Sequence, residues 1–509
     1  MEAPSKRVKL DIGPDEWDSL KMLSGFNNMH ATEALPDTLP IGQNSPQLVA
    51  HGLYAEQLSG TAFTCPRSTN QRTWAYRIAP SVAQGKYVPS ASRAKPLVSE
   101  FTADASTVDP SPARWRPLPL PSTPTHFLDG LVTMAGAGGP ATKEGLAIHL
   151  YACNAPMVDL AFMDADGDLL VVPQQGALRV TTELGRMHVA PGEICVVPRN
   201  VRFAVDPAPS AAAVGGCRGY VLEVFSGHFK LPELGPIGAN GLAEPRDFEA
   251  PSAWFEDRAC DFTVTTKLLG ELYDVKRSHS CWDVVAWHGN YAPYKYDLSR
   301  FHAVNTVTVD HSDPSIFTVL TVPSHEAGVA VADFVIFPPR WMCAEHTFRP
   351  PYYHRNVMSE FMGLVGGTYD AKAGGKDGFV AGGSSLHGCG TPHGPDAVSL
   401  AGALAADTST PKKFEGGLAF MFETAALLKL TRRAATSGEV LPGRSIVIMR
   451  CCGVACSHLR KRSTSSAPLM TKRLTRSFGQ RSASLPASSF GLVARGLKPS
   501  QGCAAVASS

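Results

Sequence analysis

Residues 168–206 read DLLVVPQQGALRVTTELGRMHVAPGEICVVPRNVRFAVD, and this stretch decides the fold class. Short runs of aliphatic and β-branched residues alternate with Gly, Pro, Asn and Asp, the residues that favour turns. The runs and turns repeat closely enough for antiparallel strands in two layers. The stretch therefore predicts a β-sandwich or a β-barrel.

The same pattern continues on both sides of this stretch. It recurs at 146–154 (LAIHLYACN) and 217–227 (CRGYVLEVFSG), and again at 301–322 and 331–341. The alternation in the later runs indicates a second β-rich unit. Helices are expected to be few, and the best candidates are Ala397 to Ala406 and Leu418 to Thr431.

The composition is that of a globular protein with more than one domain. The chain has 509 residues, of which 44% are hydrophobic and 18% charged. It contains no 18-residue apolar run, so no membrane partner is expected. Its 12 cysteines show neither zinc-finger spacing nor a dense disulfide framework. A reducing compartment, the cytoplasm, is therefore predicted.

Charge is distributed unevenly along the chain. From Thr431 onward there are 13 Lys and Arg against one acid, Glu439, a net +12; the whole-chain charge of +2 leaves −10 on residues 1–430. The tail is rich in Ser, Ala, Arg and Lys, which predicts disorder. Contact with nucleic acid or an anionic surface is one interpretation. A solvated extension is favoured, so no nucleic-acid partner is expected.

These shifts divide the chain into four predicted parts. They are a flexible arm (1–23), an N-terminal β-rich domain (24–300), a second β-rich domain (301–430) and the basic tail (431–509). Residues 185–205 resemble the second half of a cupin barrel. The preceding run lacks an H-x-H pair or a nearby acid, so no metal is expected in this half and His188 is expected to be structural.

The segment from Phe348 to Asp396 carries a possible metal site. His354, Glu360 and His393 supply two imidazoles and one carboxylate, the donor set of non-haem Fe(II) oxygenases. His354 and Glu360 are six residues apart, which places them on one face of a strand but not of a helix. The local composition favours a strand. The spacing alone is a weak signal, because each residue could equally be an ordinary polar side chain.

Longer runs of sequence carry a more specific resemblance. Among them are EALPDTLPIGQNSPQLVAHGLYAEQLSGTAFT (33–64), TNQRTWAYRIAPS (69–81), VVAWHGNYAPYKYDL (284–298), FRPPYYHRNVMSEFMGL (348–364) and TPHGPD (391–396). From about Ser24 to about Leu430, the chain resembles the homogentisate 1,2-dioxygenase family. The resemblance implies a mainly β fold, with an N-terminal β-sandwich-like (degenerate cupin) domain and a C-terminal cupin or jelly-roll barrel. It also implies a homo-hexamer arranged as a dimer of trimers.

The resemblance further implies a reaction and roles for six residues. The reaction is Fe(II)-dependent cleavage of homogentisate by O₂ to 4-maleylacetoacetate, in tyrosine and phenylalanine catabolism. The implied iron ligands are His354, Glu360 and His393. The implied proton acceptor is His311, and the implied substrate contacts are Tyr369, His393 and His387. For His387, support of a neighbouring group and direct substrate contact remain equally open.

Two departures from the family pattern leave alternatives open. The loop at 372–385 is a few residues longer than expected, and the resemblance is expected to stop after about Leu430. Another cupin ring-cleaving dioxygenase, such as one acting on gentisate, is one alternative. A bicupin scaffold whose catalysis is impaired by the replaced C-terminus is the other.

Overall fold

The computed structural model describes residues 17–90, 97–233, 242–310, 313–372 and 378–437. Within these residues the chain is mainly β. The strands of the first half are β1 (Met22–Ser24), β2 (His30–Glu33), β3 (Tyr54–Ser59), β4 (Arg72–Arg77), β5 (Val88–Pro89), β6 (Ser106–Thr107), β7 (Ala113–Trp115), β8 (Leu131–Gly139), β9 (Glu144–Cys153), β10 (Leu160–Asp164), β11 (Asp168–Gln175), β12 (Leu178–Thr182), β13 (Gly185–Val189), β14 (Glu193–Val197), β15 (Arg202–Pro207) and β16 (Cys217–Val224).

The remaining strands complete the sheets of both halves. They are β17 (Phe248–Pro251), β18 (Ala259–Leu268), β19 (Glu271–His279), β20 (Val284–Gly289), β21 (Tyr294–Asp297), β22 (Thr318–Pro323), β23 (Ala330–Phe337), β24 (Arg340–Met342), β25 (Ser359–Gly366), β26 (Ser384–His387), β27 (Lys412–Phe414), β28 (Leu418–Thr424) and β29 (Lys429–Thr431). The α-helices are α1 (Phe127–Gly130), α2 (Ala397–Ala405) and α3 (Arg432–Thr436). Short 3₁₀ helices lie at Trp17–Ser19, Ala50–Gly52, Pro209–Val214, Pro245–Asp247, Leu298–Arg300 and Pro314–Phe317.

A ten-stranded sheet forms the middle layer, in the order β1-β17-β21-β14-β11-β16-β9-β8-β29-β6. The run that opens β11 is apolar at consecutive positions because both faces of this sheet are buried. Leu169 and Val171 pack into one hydrophobic core, whereas Leu170 and Val172 pack into the other. This strand therefore shows no polar–apolar alternation, although its side chains still point to opposite faces.

One neighbour of the middle sheet is a seven-stranded sheet ordered β13-β12-β15-β10-β18-β19-β5. A six-stranded sheet, ordered β22-β23-β28-β25-β26-β7, packs on the opposite face of the middle layer. Smaller sheets, β2-β20-β4-β3 and β24-β27, complete the described fold. The predicted fold class, mainly β with a sandwich-like N-terminal part and a cupin-like C-terminal barrel, is confirmed.

The two halves exchange one strand each. Strand β7 comes from the N-terminal half but pairs with β26 at the edge of the C-terminal sheet. Strand β29 comes from the C-terminal half but inserts between β8 and β6 of the middle sheet. Trp115 of β7 is fully buried, and its indole N–H donates to the carbonyl of Ala434, 2.8 Å away. The halves are therefore joined through their sheets as well as through a common core.

One of the two predicted helices is present, and the prediction of the other is wrong. Helix α2 matches the expected segment, and Asp396 caps it by accepting the backbone N–H of Ser399 at 2.8 Å. The segment from Leu418 to Thr431 instead forms β28 and β29. Its apolar run suits a strand that is buried at nearly every position, and periodicity alone does not distinguish this from a buried helix.

The structure also revises the predicted ends of the folded region. Trp17 and strand β1 lie in the segment predicted as a flexible arm, and Trp17 is buried beneath the guanidinium groups of Arg179 and Arg186. At the other end, helix α3 follows β29 directly, and Ala434 is fully buried. Most of the tail predicted to be disordered, from residue 438 onward, lies outside the described residues. The domain boundaries themselves remain a prediction.

These contacts predict where the chain can be shortened. A chain that ends after Ser437 should melt at a higher temperature than one that ends after Leu428, because it keeps β29, α3 and the bond from Trp115. A chain that ends after Leu428 should lose the buried Leu430 side chain, a loss of about 2–5 kcal/mol on its own. Differential scanning calorimetry of both chains measures the difference. Equal melting temperatures for the two shortened chains would contradict the role given to β29 and α3.

Candidate metal centre

Glu360 lies on β25, inside the six-stranded sheet. This strand pairs with β26 and β28, so Glu360 stands opposite His387 on one side and Glu423 on the other. The side chain is buried, with 5% of the residue exposed. A carboxylate in this position is held by a rigid sheet and not by a loop.

His354 and His393 lie on loops that are bound to each other. The backbone N–H of His354 donates to the carbonyl of His393 at 3.0 Å, and the reverse bond measures 3.1 Å. The ring centroids are 4.2 Å apart. The expected strand running from His354 to Glu360 is wrong, since β25 begins only at Ser359. His354 and Glu360 nevertheless converge, because the backbone bridge between His354 and His393 holds His354 over the sheet.

The two imidazoles are oriented in the same way. The Nδ1 atom of each ring lies 2.9 Å from the carbonyl oxygen two residues earlier, that of Tyr352 for His354 and that of Thr391 for His393. A carbonyl only accepts, so each Nδ1 carries a proton, and Nε2 is the nitrogen through which each ring can bind a metal once it has lost its own proton to solvent. The Nε2 atoms lie 3.4 and 2.9 Å from the Glu360 carboxylate oxygens.

This donor set suits a divalent metal ion. One ligand atom from each of His354, Glu360 and His393 lies within 4.8 Å of the other two. The two neutral nitrogens and one carboxylate converge in the arrangement expected of a two-histidine, one-carboxylate site. The three predicted ligands are thus brought together, and their assignment to a bound metal is taken up as a proposal.

Glu360 and His354 shift each other's pKa values. Burial opposes ionisation of Glu360, but hydrogen bonds from His354 and His393 outweigh it and hold the pKa of the carboxyl well below its usual range. The hydrogen bond to Glu360 raises the pKa of His354. Glu360 is therefore ionised at neutral pH, and protons compete with a metal ion for His354.

Asn356 is a site residue that the sequence reasoning missed. Its side-chain N–H donates to Glu360 Oε1 at 2.8 Å, while its own oxygen accepts the backbone N–H of Met358 at 3.0 Å. The second bond holds the amide in the orientation that serves the carboxylate. Its only sequence signal is its place between His354 and Glu360, which suits any polar loop residue equally well.

A cavity of about 330 Å³ opens onto these ligands. Its lining includes Tyr369, Lys372, His387 and Glu423 in addition to the three candidate ligands. The Tyr369 hydroxyl has no hydrogen-bond partner among the described residues, and its ring packs edge-on against Phe337, with 5.5 Å between ring centroids. The predicted residues Tyr369 and His387 are therefore brought to the same cavity as the candidate ligands.

Lys372 and Glu423 also went unnoticed in the sequence, and the cavity perturbs both. Burial lowers the pKa of Lys372 to about 7, and the nearby Arg114 guanidinium adds to this effect. Burial raises the pKa of Glu423 to about 7, with the Glu360 charge acting in the same direction. Perturbed titratable groups in a cleft are typical of functional sites. No spacing rule would have selected these two residues.

The predicted proton acceptor, His311, lies outside the described residues. Its sequence neighbour Asp313 lines the cavity. The Asp313 carboxylate also accepts the backbone N–H of Ser315 at 3.0 Å, at the start of a 3₁₀ turn. The described chain therefore resumes at the cavity wall, two residues after His311.

A second acidic cluster lies in the N-terminal half, formed by Asp164, Asp166 and Glu223. The fully buried ammonium group of Lys267 lies among the three carboxylates, 2.8 Å from Asp166 and in contact with Glu223. A buried cation within the chain thus offsets part of this negative charge. His188, expected to be structural, belongs to neither of the metal-competent clusters found among the described residues.

Comparison with known proteins identifies the family. The family model described as homogentisate 1,2-dioxygenase N-terminal matches residues 21–298, and the C-terminal model matches residues 299–442. The resemblance thus continues past Leu430, where it was expected to end. Homogentisate 1,2-dioxygenase of Caenorhabditis elegans is 54% identical over 424 residues, which are 82% of this chain and 94% of that protein. The Arabidopsis thaliana enzyme of the same name is 53% identical, over 83% of this chain and 90% of its own.

Solved structures add only a distant likeness. A cupin 2 conserved barrel domain protein from Leptotrichia buccalis is 8% identical, with a TM-score of 0.24, over 60% of this chain and 92% of that chain. The family assignment therefore comes from the sequence matches, which span most of the chain. This chain belongs to the homogentisate 1,2-dioxygenase family.

Proposed function

We propose that this ring-cleaving dioxygenase holds Fe(II) through His354, Glu360 and His393 and acts on homogentisate and O₂, giving 4-maleylacetoacetate. One observation carries the proposal: two imidazoles, locked together by their backbones, direct their Nε2 atoms at one buried carboxylate. When bound, the iron would supply the O₂ chemistry and favour the ionised form of a ring hydroxyl. Three protein ligands leave further coordination positions for exchangeable ligands.

The residues around the cavity are proposed to bind and orient the aromatic ring. The Tyr369 hydroxyl, which has no partner among the described residues, is free to donate to a substrate oxygen. His311 is proposed to accept the proton of the ring hydroxyl, a role suited to an imidazole near neutral pH. Asp313, two residues along the chain from His311, lines the cavity, and this supports the role.

We further propose a cytoplasmic location and a homo-hexamer built as a dimer of trimers. The eight described cysteines are all free, which supports a reducing compartment. Within the described residues, no helix is long and apolar enough to cross a membrane. The hexamer is proposed from the resemblance of the chain to its family.

The proposed ligands are tested by replacing them. His354→Ala and Glu360→Ala should each abolish retention of Fe(II) and lower O₂ consumption with homogentisate by at least about 100-fold, because each removes a bond to the ion. Metal analysis and an oxygen electrode measure the two effects. His188→Ala is the matched control and should keep both properties. Full iron content with full activity in either variant would contradict the assignment of the ligands. Faster turnover of gentisate than of homogentisate by the parent protein would contradict the proposed substrate.

Asn356 should matter for metal affinity although it is no ligand. Asn356→Leu removes the hydrogen bond that orients Glu360, and we expect Co(II) to bind the metal-free protein about 10–100-fold more weakly. Titration followed by the visible absorption of Co(II) measures this affinity. Asn44→Leu, at an exposed site, is the control. Unchanged Co(II) affinity in Asn356→Leu would show that the carboxylate needs no such support.

Metal binding should weaken as the pH falls. The pKa of His354 is raised above 6.5 in the metal-free protein, so this ring gains a proton at a higher pH than an ordinary histidine. Only the neutral ring binds metal, so the affinity should fall about tenfold per pH unit below that pKa for each proton displaced. Glu360 stays ionised and does not contribute. Co(II) titrations at pH 8 and at pH 6 should differ accordingly, and equal affinities would contradict the prediction.

A further inference from the structure

Lys372 lies in the wall of the cavity without touching any candidate ligand through a hydrogen bond. The residue is 7% exposed, and its ammonium nitrogen lies 3.2 Å from His387 Nε2. It follows Tyr369 closely, and a backbone bridge between these two residues fixes the turn that carries both. The Lys372 nitrogen also lies 5.9 Å from the centre of the Phe379 ring. The amino group is thus confined to one place beside His387.

This contact determines which ring nitrogen of His387 carries the proton. In its ammonium form Lys372 has donors and no acceptor, so His387 Nε2 then accepts and Nδ1 is protonated. The opposite side of the ring agrees, because Nδ1 faces the acceptor-only carboxylate oxygen Oε2 of Glu360 at 3.8 Å. A donor at one nitrogen and an acceptor facing the other both select the Nδ1–H tautomer.

The proton on His387 Nδ1 is left without a hydrogen bond. This atom is buried and has no hydrogen-bond partner among the described residues, and 4% of the side chain is exposed. The ring cannot easily turn away, because it stacks on His393 with 4.2 Å between centroids and 3° between planes. A buried donor without an acceptor is costly, and such groups are typical of sites that await a ligand.

We propose that Lys372 is a positioning residue for ring cleavage, which holds His387 as a hydrogen-bond donor through Nδ1 to an anionic oxygen of the bound aromatic substrate. The inference rests on the proposed function, since it takes the cavity as the substrate site. Lys372 acts only through His387. The competing role is a direct ion pair between Lys372 and the carboxylate of the substrate's acetate arm.

A double-mutant cycle separates these roles. Lys372→Met removes the donor but keeps an unbranched side chain, and should lower kcat about tenfold while KM changes less than twofold. His387→Asn places an amide N–H near the position of Nδ1, and that donor needs no tautomer to be set. In the His387→Asn background, Lys372→Met should therefore cause no further loss. Lys372→Arg retains a donor and should recover part of kcat, whereas Lys230→Met controls for loss of a surface charge.

Other outcomes would overturn the inference. Additive losses in the double variant would show that Lys372 does not act through His387. A tenfold rise in KM for homogentisate, absent for 2,5-dihydroxytoluene, would instead assign Lys372 to the substrate carboxylate. If Lys372→Met melts at a lower temperature than the parent, the cycle is run with Lys372→Leu, which also removes the donor and leaves the His387→Asn donor untouched.

Metal binding by the resting protein provides a readout that is independent of turnover. Lys372→Met should bind Co(II) within twofold of the parent, because no candidate ligand bonds to Lys372. A loss of Co(II) affinity in this variant would make Lys372 a support of the metal site and overturn the inference. Undiminished Co(II) binding by His354→Ala, in contrast, would refute the proposed ligands and leave the coupling between Lys372 and His387 to be judged by the cycle.

Discussion

The exchange of strands between the two halves is the constraint on which the rest of the structure depends. Strand β7 closes the edge of the sheet that carries Glu360, and β29 completes the middle sheet of the other half. Trp115 links the two exchanged strands. Its indole N–H donates to the carbonyl of Ala434, just after β29, and its ring stacks on Phe361, the residue after Glu360. Each half thus supplies a strand to a sheet of the other, which ties the sheet that carries Glu360 to the middle sheet.

The candidate metal centre combines a rigid element with two restrained loops. The carboxylate stands on an inner strand, and the imidazoles belong to loops that are pinned to each other through their backbones. The N-terminal half of the same fold also gathers acidic side chains, but there the ammonium group of Lys267 offsets part of their charge. Buried carboxylates in the N-terminal half are thus paired with a lysine, whereas Glu360 in the C-terminal half faces two histidine nitrogens that can bind a metal.

Local pattern sufficed for the strands and for α2, because β-branched runs between turns, and a capped Ala-rich segment, favour one structure each. Local pattern predicted the wrong secondary structure where a segment is buried on all sides, because such a segment shows no periodicity. The run from Leu418 to Thr431 is apolar at most positions, which fits a buried helix as well as the strands that it forms. It failed again at His354, whose position depends on a bridge to His393 and not on a strand shared with Glu360.

The sequence by itself determined the β class, the family and the side chains chemically able to hold a metal. These properties depend on the types of residues and on their order along the chain, and both are visible in the sequence. Only the tertiary structure decided that Asn356 orients Glu360, that Lys372 meets His387, and that β29 completes the middle sheet. Such contacts join residues whose separation along the chain carries no periodic signal, so they are settled by how the sheets close and pack.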